Sequence, residues 1–183
     1  MDDSAARQAV VLPAAEWLVP LGPMTRFVLR GDAAARAIAG HAFGIDLPEQ
    51  ACRAAQSGSR AALWLGPDEY LLLAAEAELA AIRTDFAAAL AGHPHSLVDV
   101  SHRQVGVVVQ GPRAEWLLES QCPLPLNLRD FPVGMCTRTV FAKTEIVLWR
   151  TAERRFHVEV WRSFSQYLVA LLGEVAREGE AGA

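Results

Sequence analysis

At 183 residues, 52% of them hydrophobic and 21% charged, the chain is long enough for one large domain or two small ones around a packed core. A formal net charge of −4 with no dense Lys/Arg run argues against a nucleic-acid partner, whose phosphate backbone demands a basic excess. No apolar run approaches the roughly 20 residues that span a bilayer, and the acidic start MDDSAARQ lacks the basic flank of a signal peptide, so the chain reads as cytoplasmic and free of membrane contact.

Residues 1–23 contain Pro13, Pro20 and Pro23 around the apolar stretch AEWLV, a composition that resists a long helix and suits an extended N-terminal arm. Trp17 and Leu18 are its docking side chains, either on a partner or on the chain's own domain. RFVLR at 26–30 has strand character, and Asp32 can cap an Ala-rich helix that stops at Gly40. ALWL at 62–65 and YLLL at 70–73, joined by Gly-Pro-Asp-Glu, predict a hairpin. Leu79, Ile82, Phe86 and Leu90 mark the buried stripe of a helix closed by Gly92.

The order then recurs. Strand QVGVVVQ at 104–110 runs through Gly111 and Pro112 into a helix with Trp116, Leu117 and Leu118, which Cys122-Pro123 ends. Strands are expected at 137–142, 145–149 and 156–161, the last alternating Phe156, Val158 and Val160 inward against His157, Glu159 and Trp161. Ser163 and Gln166 read as a capping box for a helix with apolar positions 164, 167, 168, 171, 172 and 175. Laying the halves side by side superposes Leu63-Trp64 on Leu148-Trp149 and, one residue out of step, Tyr70 on Phe156, which suggests a duplication. The fold class is α+β: a repeated strand, helix, strands, helix unit. The expected divisions are an arm at 1–23, a first half at 24–95, a second half at 96–176 and a flexible tail at 177–183.

Candidate chemistry is sparse. Asp99, Ser101 and His102 put three catalytic residue types within one short stretch, but in an extended strand Asp99 and Ser101 share a face and His102 points away, so the trio reads as a strand end with a turn. His93-Pro94-His95 offers two imidazoles without further ligands at metal spacing. Cys52, Cys122 and Cys136 form no C-x-x-C pair and read as reduced thiols. The glycines around 40–44 and 57–59 fit no nucleotide or flavin fingerprint. Of the five tryptophans, at 17, 64, 116, 149 and 161, most should be core, while one or two on outward faces would suit a protein interface. The expected catalytic, cofactor-binding and metal residues of this chain are therefore none, with Trp17 and Leu18 as the candidate partner contact.

DVSHRQVGVVVQGPRAEWLL resembles the opening of the folate-binding domain of the aminomethyltransferase T-protein superfamily. ALWLGPDEYLLL, LVDVSHRQ, CPLPLN, FPVGMCTRT, EIVLWR and VEVWRSFSQYLVALL, in that order, resemble the gamma subunit family of heterotetrameric sarcosine oxidase. That resemblance implies a duplicated folate-binding-domain fold whose first strands are exchanged between halves. It also implies a non-catalytic subunit, with alpha, beta and delta partners that hold FAD, covalent FMN, NAD and the tetrahydrofolate site. The implied complex demethylates sarcosine oxidatively to glycine, passing the one-carbon unit to tetrahydrofolate and electrons to oxygen. Working aminomethyltransferases carry a Gly-rich turn and an Asp before a hydrophobic strand, where this chain has Phe141-Ala142-Lys143-Thr144-Glu145. The K-G-C-Y-x-G-Q motif of related iron-sulfur repair proteins is missing. The rival reading is a stand-alone folate-binding one-carbon transfer protein.

Overall fold

The structure, a computed structural model, describes residues 11–181 and divides into two compact units. One is the continuous stretch Pro23–Ser101; the other joins residues 11–22 to the chain from His102 onward. Each is an antiparallel five-stranded sheet with helices over one face.

In the continuous unit, β2 (Met24–Gly31) leads to α1 (Ala33–Phe43), followed by β3 (Ala54–Ser57), β4 (Arg60–Gly66), β5 (Glu69–Ala75) and α2 (Leu79–Ala89). Asp32 caps α1 as expected, accepting from the Ala35 amide at 2.8 Å. The helix does not stop at Gly40. It runs one turn further to Gly44, whose φ of 73° closes it, because Gly40 is needed inside: a Cβ there would lie 2.9 Å from the Ile45 carbonyl oxygen. Phe27, Leu29, Tyr70 and Leu72 pack against Ala35, Ala39 and Phe43 of α1 and against Ile82 and Phe86 of α2. Phe86 bridges the layers, edge-on to Phe27 at 5.8 Å and stacked with Phe43 at 5.9 Å.

The other unit carries β1 (Leu18–Pro20), β7 (Gln104–Gln110), α3 (Ala114–Glu119), β8 (Cys136–Phe141), β9 (Thr144–Ala152), β10 (Arg155–Trp161) and α4 (Ser165–Ala181). Its core joins Val107, Val109, Leu148, Phe156 and Val158 to Leu117 and Leu118 of α3 and to Leu168 and Leu172 of α4. The 120–135 loop is pinned by Arg150. This side chain is fully buried, donates to the Leu126 carbonyl at 2.5 Å, pairs with Glu115 at 2.9 Å and lies 4.5 Å over the Phe156 ring.

The sheet orders make the duplication explicit. One sheet runs β1-β7-β10-β9-β8 and the other, read from the opposite edge, β6-β2-β5-β4-β3, with β6 at His95–Asp99. The opening strand of each half of the sequence therefore pairs in the sheet of the other half: β1 with β7, and β6 with β2.

This exchange moves the expected divisions. Residues 96–101 belong to the first sheet, since Leu97, Val98 and Asp99 pair with Leu29, Val28 and Phe27. The 1–23 segment is not a free arm over its described part. The edge of β7 pairs Leu18, Val19 and Pro20 with Val109, Val108 and Val107, and proline is tolerated on such an edge strand. Nor does a tail begin at 177: α4 continues to Ala181, with the Ala176 carbonyl accepting from Arg113 at 3.3 Å.

Two local patterns also differ from expectation. His157 and Glu159, placed outward by simple alternation, are 7% and 0% exposed and paired at 2.7 Å, with the Trp149 ring 5.8 Å from the imidazole. Burial of both faces of β10 overrides alternation, and a buried carboxylate then requires a polar partner. The chain enters α4 through a 3-10 turn at Arg162–Phe164, where Ser165 donates back to the Arg162 carbonyl at 2.8 Å. The buried stripe of α4 is Ser165, Leu168, Val169, Leu172, Val175 and Ala176, so Phe164 and Tyr167 face outward, 43% and 38% exposed.

Candidate subunit interface

The Asp-Val-Ser-His stretch is structural. Asp99 Oδ1 accepts from the Ser101 hydroxyl at 2.6 Å and from the Ser101 amide at 3.0 Å, while Asp99 Oδ2 takes the Arg83 guanidinium at 2.6 Å. The Ser101 hydroxyl oxygen accepts from the Arg26 amide at 3.0 Å, and the Val100 amide donates to the Arg26 carbonyl at 2.9 Å. Burial alone would raise the Asp99 carboxyl pKa, but the Ser101 hydroxyl and amide and the Arg83 charge outweigh it and hold the group below its ordinary value. With its pKa lowered and its oxygens bonded to Ser101 and Arg83, Asp99 serves as a clasp on the β2–β6 pair. His102 is exposed and lines a groove with Arg103 and Trp161.

The other sequence candidates are local as well. His95 Nδ1 lies 2.7 Å from the His93 carbonyl oxygen, and among the described residues no cluster of three His, Cys, Asp or Glu side chains could hold a metal. At the turn after β8, Glu145 is solvent-facing and 3.8 Å from Arg138.

Of the two expected contact residues, Leu18 is 2% exposed within the core and Trp17 packs half-buried against it. The Gln110 amide donates to the Trp17 carbonyl at 2.9 Å, and the Leu21 amide to the Gly106 carbonyl at 2.9 Å. Leu18 is thus spent on its own unit, leaving only part of Trp17 exposed.

The outward aromatics lie elsewhere on the same unit. Trp161, at the end of β10, is 43% exposed, and Arg103 stacks over its ring at 5.3 Å. Trp116 on α3 is 44% exposed under Arg113 at 4.6 Å. Trp161, Phe164 and Tyr167 follow at intervals of three through a 3-10 turn into a helix, a spacing that sets them along one face. Exposed Trp, Tyr and Arg are the residue types that dominate protein interfaces. Alternation along β10 already placed Trp161 outward. Phe164 and Tyr167 were masked by the apolar period of α4, which admits two phases.

A family model described as sarcosine oxidase, gamma subunit family, matches residues 30–178, most of both units. The chain belongs to the sarcosine oxidase gamma subunit family. Curated relatives agree: the sarcosine oxidase subunit gamma of Corynebacterium sp. (strain P-1) is 37% identical over 139 residues, covering 75% of this chain and 67% of that protein. The subunit gamma of Arthrobacter sp. is 34% identical over 146 residues, covering 76% and 71%. Among solved structures, the heterotetrameric sarcosine oxidase from Corynebacterium sp. U-96, in complex with pyrrole 2-carboxylate, contains a chain that matches with a TM-score of 0.83 at 30% identity. That match covers 95% of this chain and 89% of the other. The glycine cleavage system aminomethyltransferase T from Bartonella henselae matches with a TM-score of 0.67 at 14% identity over 85% of this chain and 44% of its own, a likeness of fold alone. This chain is thus similar in fold to part of that aminomethyltransferase, and its own duplication and strand exchange are visible in the sheet orders.

Proposed function

We propose that this gamma subunit family member is a non-catalytic component of a cytoplasmic heterotetrameric sarcosine oxidase. In this reading alpha, beta and delta partners carry the FAD, FMN, NAD and tetrahydrofolate chemistry, and this chain contributes folded surface. The observation that supports it most directly is the match of 95% of the chain to one chain of a heterotetrameric sarcosine oxidase. The tied-up state of Asp99 and Ser101 and the outward Trp161 and Trp116 fit a partner better than an enzyme. Neither the composition nor the described surface offers a reason to invoke nucleic acid, and no described helix is long and apolar enough to cross a membrane.

Co-expression with the three other subunits tests the proposal. The chain is expected to co-elute with them through size exclusion at fixed stoichiometry; elution apart from them in every preparation overturns the reading. Calorimetric titration of the isolated chain with tetrahydrofolate is the complementary test. Micromolar or tighter binding would favour a stand-alone folate protein instead, and no heat of binding is expected.

A further inference from the structure

We infer that the groove between the start of β7 and the start of α4 receives an acidic segment of a partner subunit, an inference that rests on the chain working within a complex. The groove has a volume of about 580 Å³ and is lined chiefly by His102, Arg103, Trp161, Arg162, Ser163 and Gln166. None of its lining residues is acidic, although the chain as a whole carries a net charge of −4. A local reversal of sign attracts carboxylates and repels basic segments, which selects the partner by charge.

The groove is also held in shape. Trp161 pairs with Gln104 across the β7–β10 ladder, and the Arg162 amide donates to the Arg103 carbonyl at 2.8 Å, so the backbones bearing both arginines are fixed to each other. Stacking of Arg103 on the Trp161 ring restrains its guanidinium, which lowers the entropy lost when its fork binds a carboxylate. The half-exposed faces of Trp161, Phe164 and Tyr167 beside it supply apolar area for the flanking residues of the bound segment. An acidic side chain with an apolar neighbour therefore matches both halves of the surface.

The experiment measures binding of this chain to the co-expressed remaining subunits by biolayer interferometry, for wild type, Arg103→Glu, Trp161→Ala and a surface control, Arg129→Glu. Arg103→Glu and Trp161→Ala are each expected to weaken binding about tenfold or more, the scale of a hot-spot truncation, with Arg129→Glu within about twofold of wild type. Wild-type affinity should fall as salt rises from about 0.05 M to about 0.5 M, and this dependence should flatten in Arg103→Glu. Circular dichroism melts of each variant exclude unfolding as the cause. Wild-type affinity in both variants overturns the inference while leaving the subunit assignment standing; failure of the wild type to bind at all removes that assignment first. In an otherwise unaltered chain, a photoreactive amino acid in place of Gln166 should crosslink to a partner peptide rich in Asp or Glu. A crosslink to a second copy of this chain, or to a segment without carboxylates, overturns it.

Discussion

Ser101 donates its hydroxyl to Asp99 at 2.6 Å and, through the same oxygen, accepts the Arg26 amide at 3.0 Å, so two residues that look reactive in sequence join strands β2 and β6. Because Arg26 is 1% exposed, Ser101→Ala removes an acceptor from a buried amide and should cost about 1–3 kcal/mol in urea denaturation.

Asp99 makes the same clasp pH-dependent. Its folded carboxyl pKa lies below the ordinary value, so the stability it contributes is fully present above the ordinary carboxylate range of about 4 and is lost as pH falls through the lowered folded value. The stability gap between wild type and Asp99→Asn should thus be constant near neutrality and close on acidification. A gap that widens as pH falls would contradict the sign of this linkage.

Arg150 anchors the 120–135 loop from inside the core. Its removal deletes the bond to the Leu126 carbonyl, the Glu115 pair and the packing on Phe156. Glu115 retains 35% exposure and can rehydrate, which keeps the cost of Arg150→Ala at about 2–4 kcal/mol, toward the lower part of the range for a broken buried pair. Arg150→Met, which keeps much of the volume, should cost less. Amide exchange should accelerate over residues 126–135 in both variants.

The sequence was most informative where one physical pattern stood alone. The apolar run of β7, the hairpin β4–β5 and the stripe of Ile82 and Phe86 on α2 each have a single reading, and each forms as expected. Strand β3 carries only Ala-Ala-Gln-Ser, with no β-branched or aromatic residue, and exists because the edge of β4 is available to pair with it. The strand exchange is a long-range choice between two compatible edges, which no local pattern encodes. Arg150 illustrates the same limit, since it is buried against Glu115 and Leu126, partners far away in sequence. The candidate interface was half legible: the alternation of β10 exposes Trp161, whereas the contribution of Arg103 needed the ladder to bring it beside that ring.

Two helical glycines should respond in opposite senses to alanine. At Gly40 a Cβ would sit 2.9 Å from the Ile45 carbonyl oxygen and 3.3 Å from the Leu47 amide nitrogen, so overpacking of about 1–3 kcal/mol outweighs the gain of about 1 kcal/mol in helix propensity. At Gly173 nothing lies within 4 Å, and Gly173→Ala should stabilise by about 0.5–1 kcal/mol. Thermal melts of the two variants should move in opposite directions.

The phase of α4 decides which of its residues are free for a partner, and it can be tested directly. Leu168 is fully buried among Val158, Leu172 and the rest of the core, so Leu168→Ala should cost about 2–5 kcal/mol. Tyr167, one position earlier, is 38% exposed and lies outside that cluster; Tyr167→Ala should change stability by no more than about 0.5 kcal/mol. Had the helix followed the phase in which 164, 167, 168 and 171 all face inward, both substitutions would be costly and the aromatic face beside Trp161 would not exist. Equal, large losses from Leu168→Ala and Tyr167→Ala in urea denaturation would therefore remove Phe164 and Tyr167 from the interface. A large loss from the first with little from the second leaves Tyr167 as side-chain area that the chain's own fold does not use.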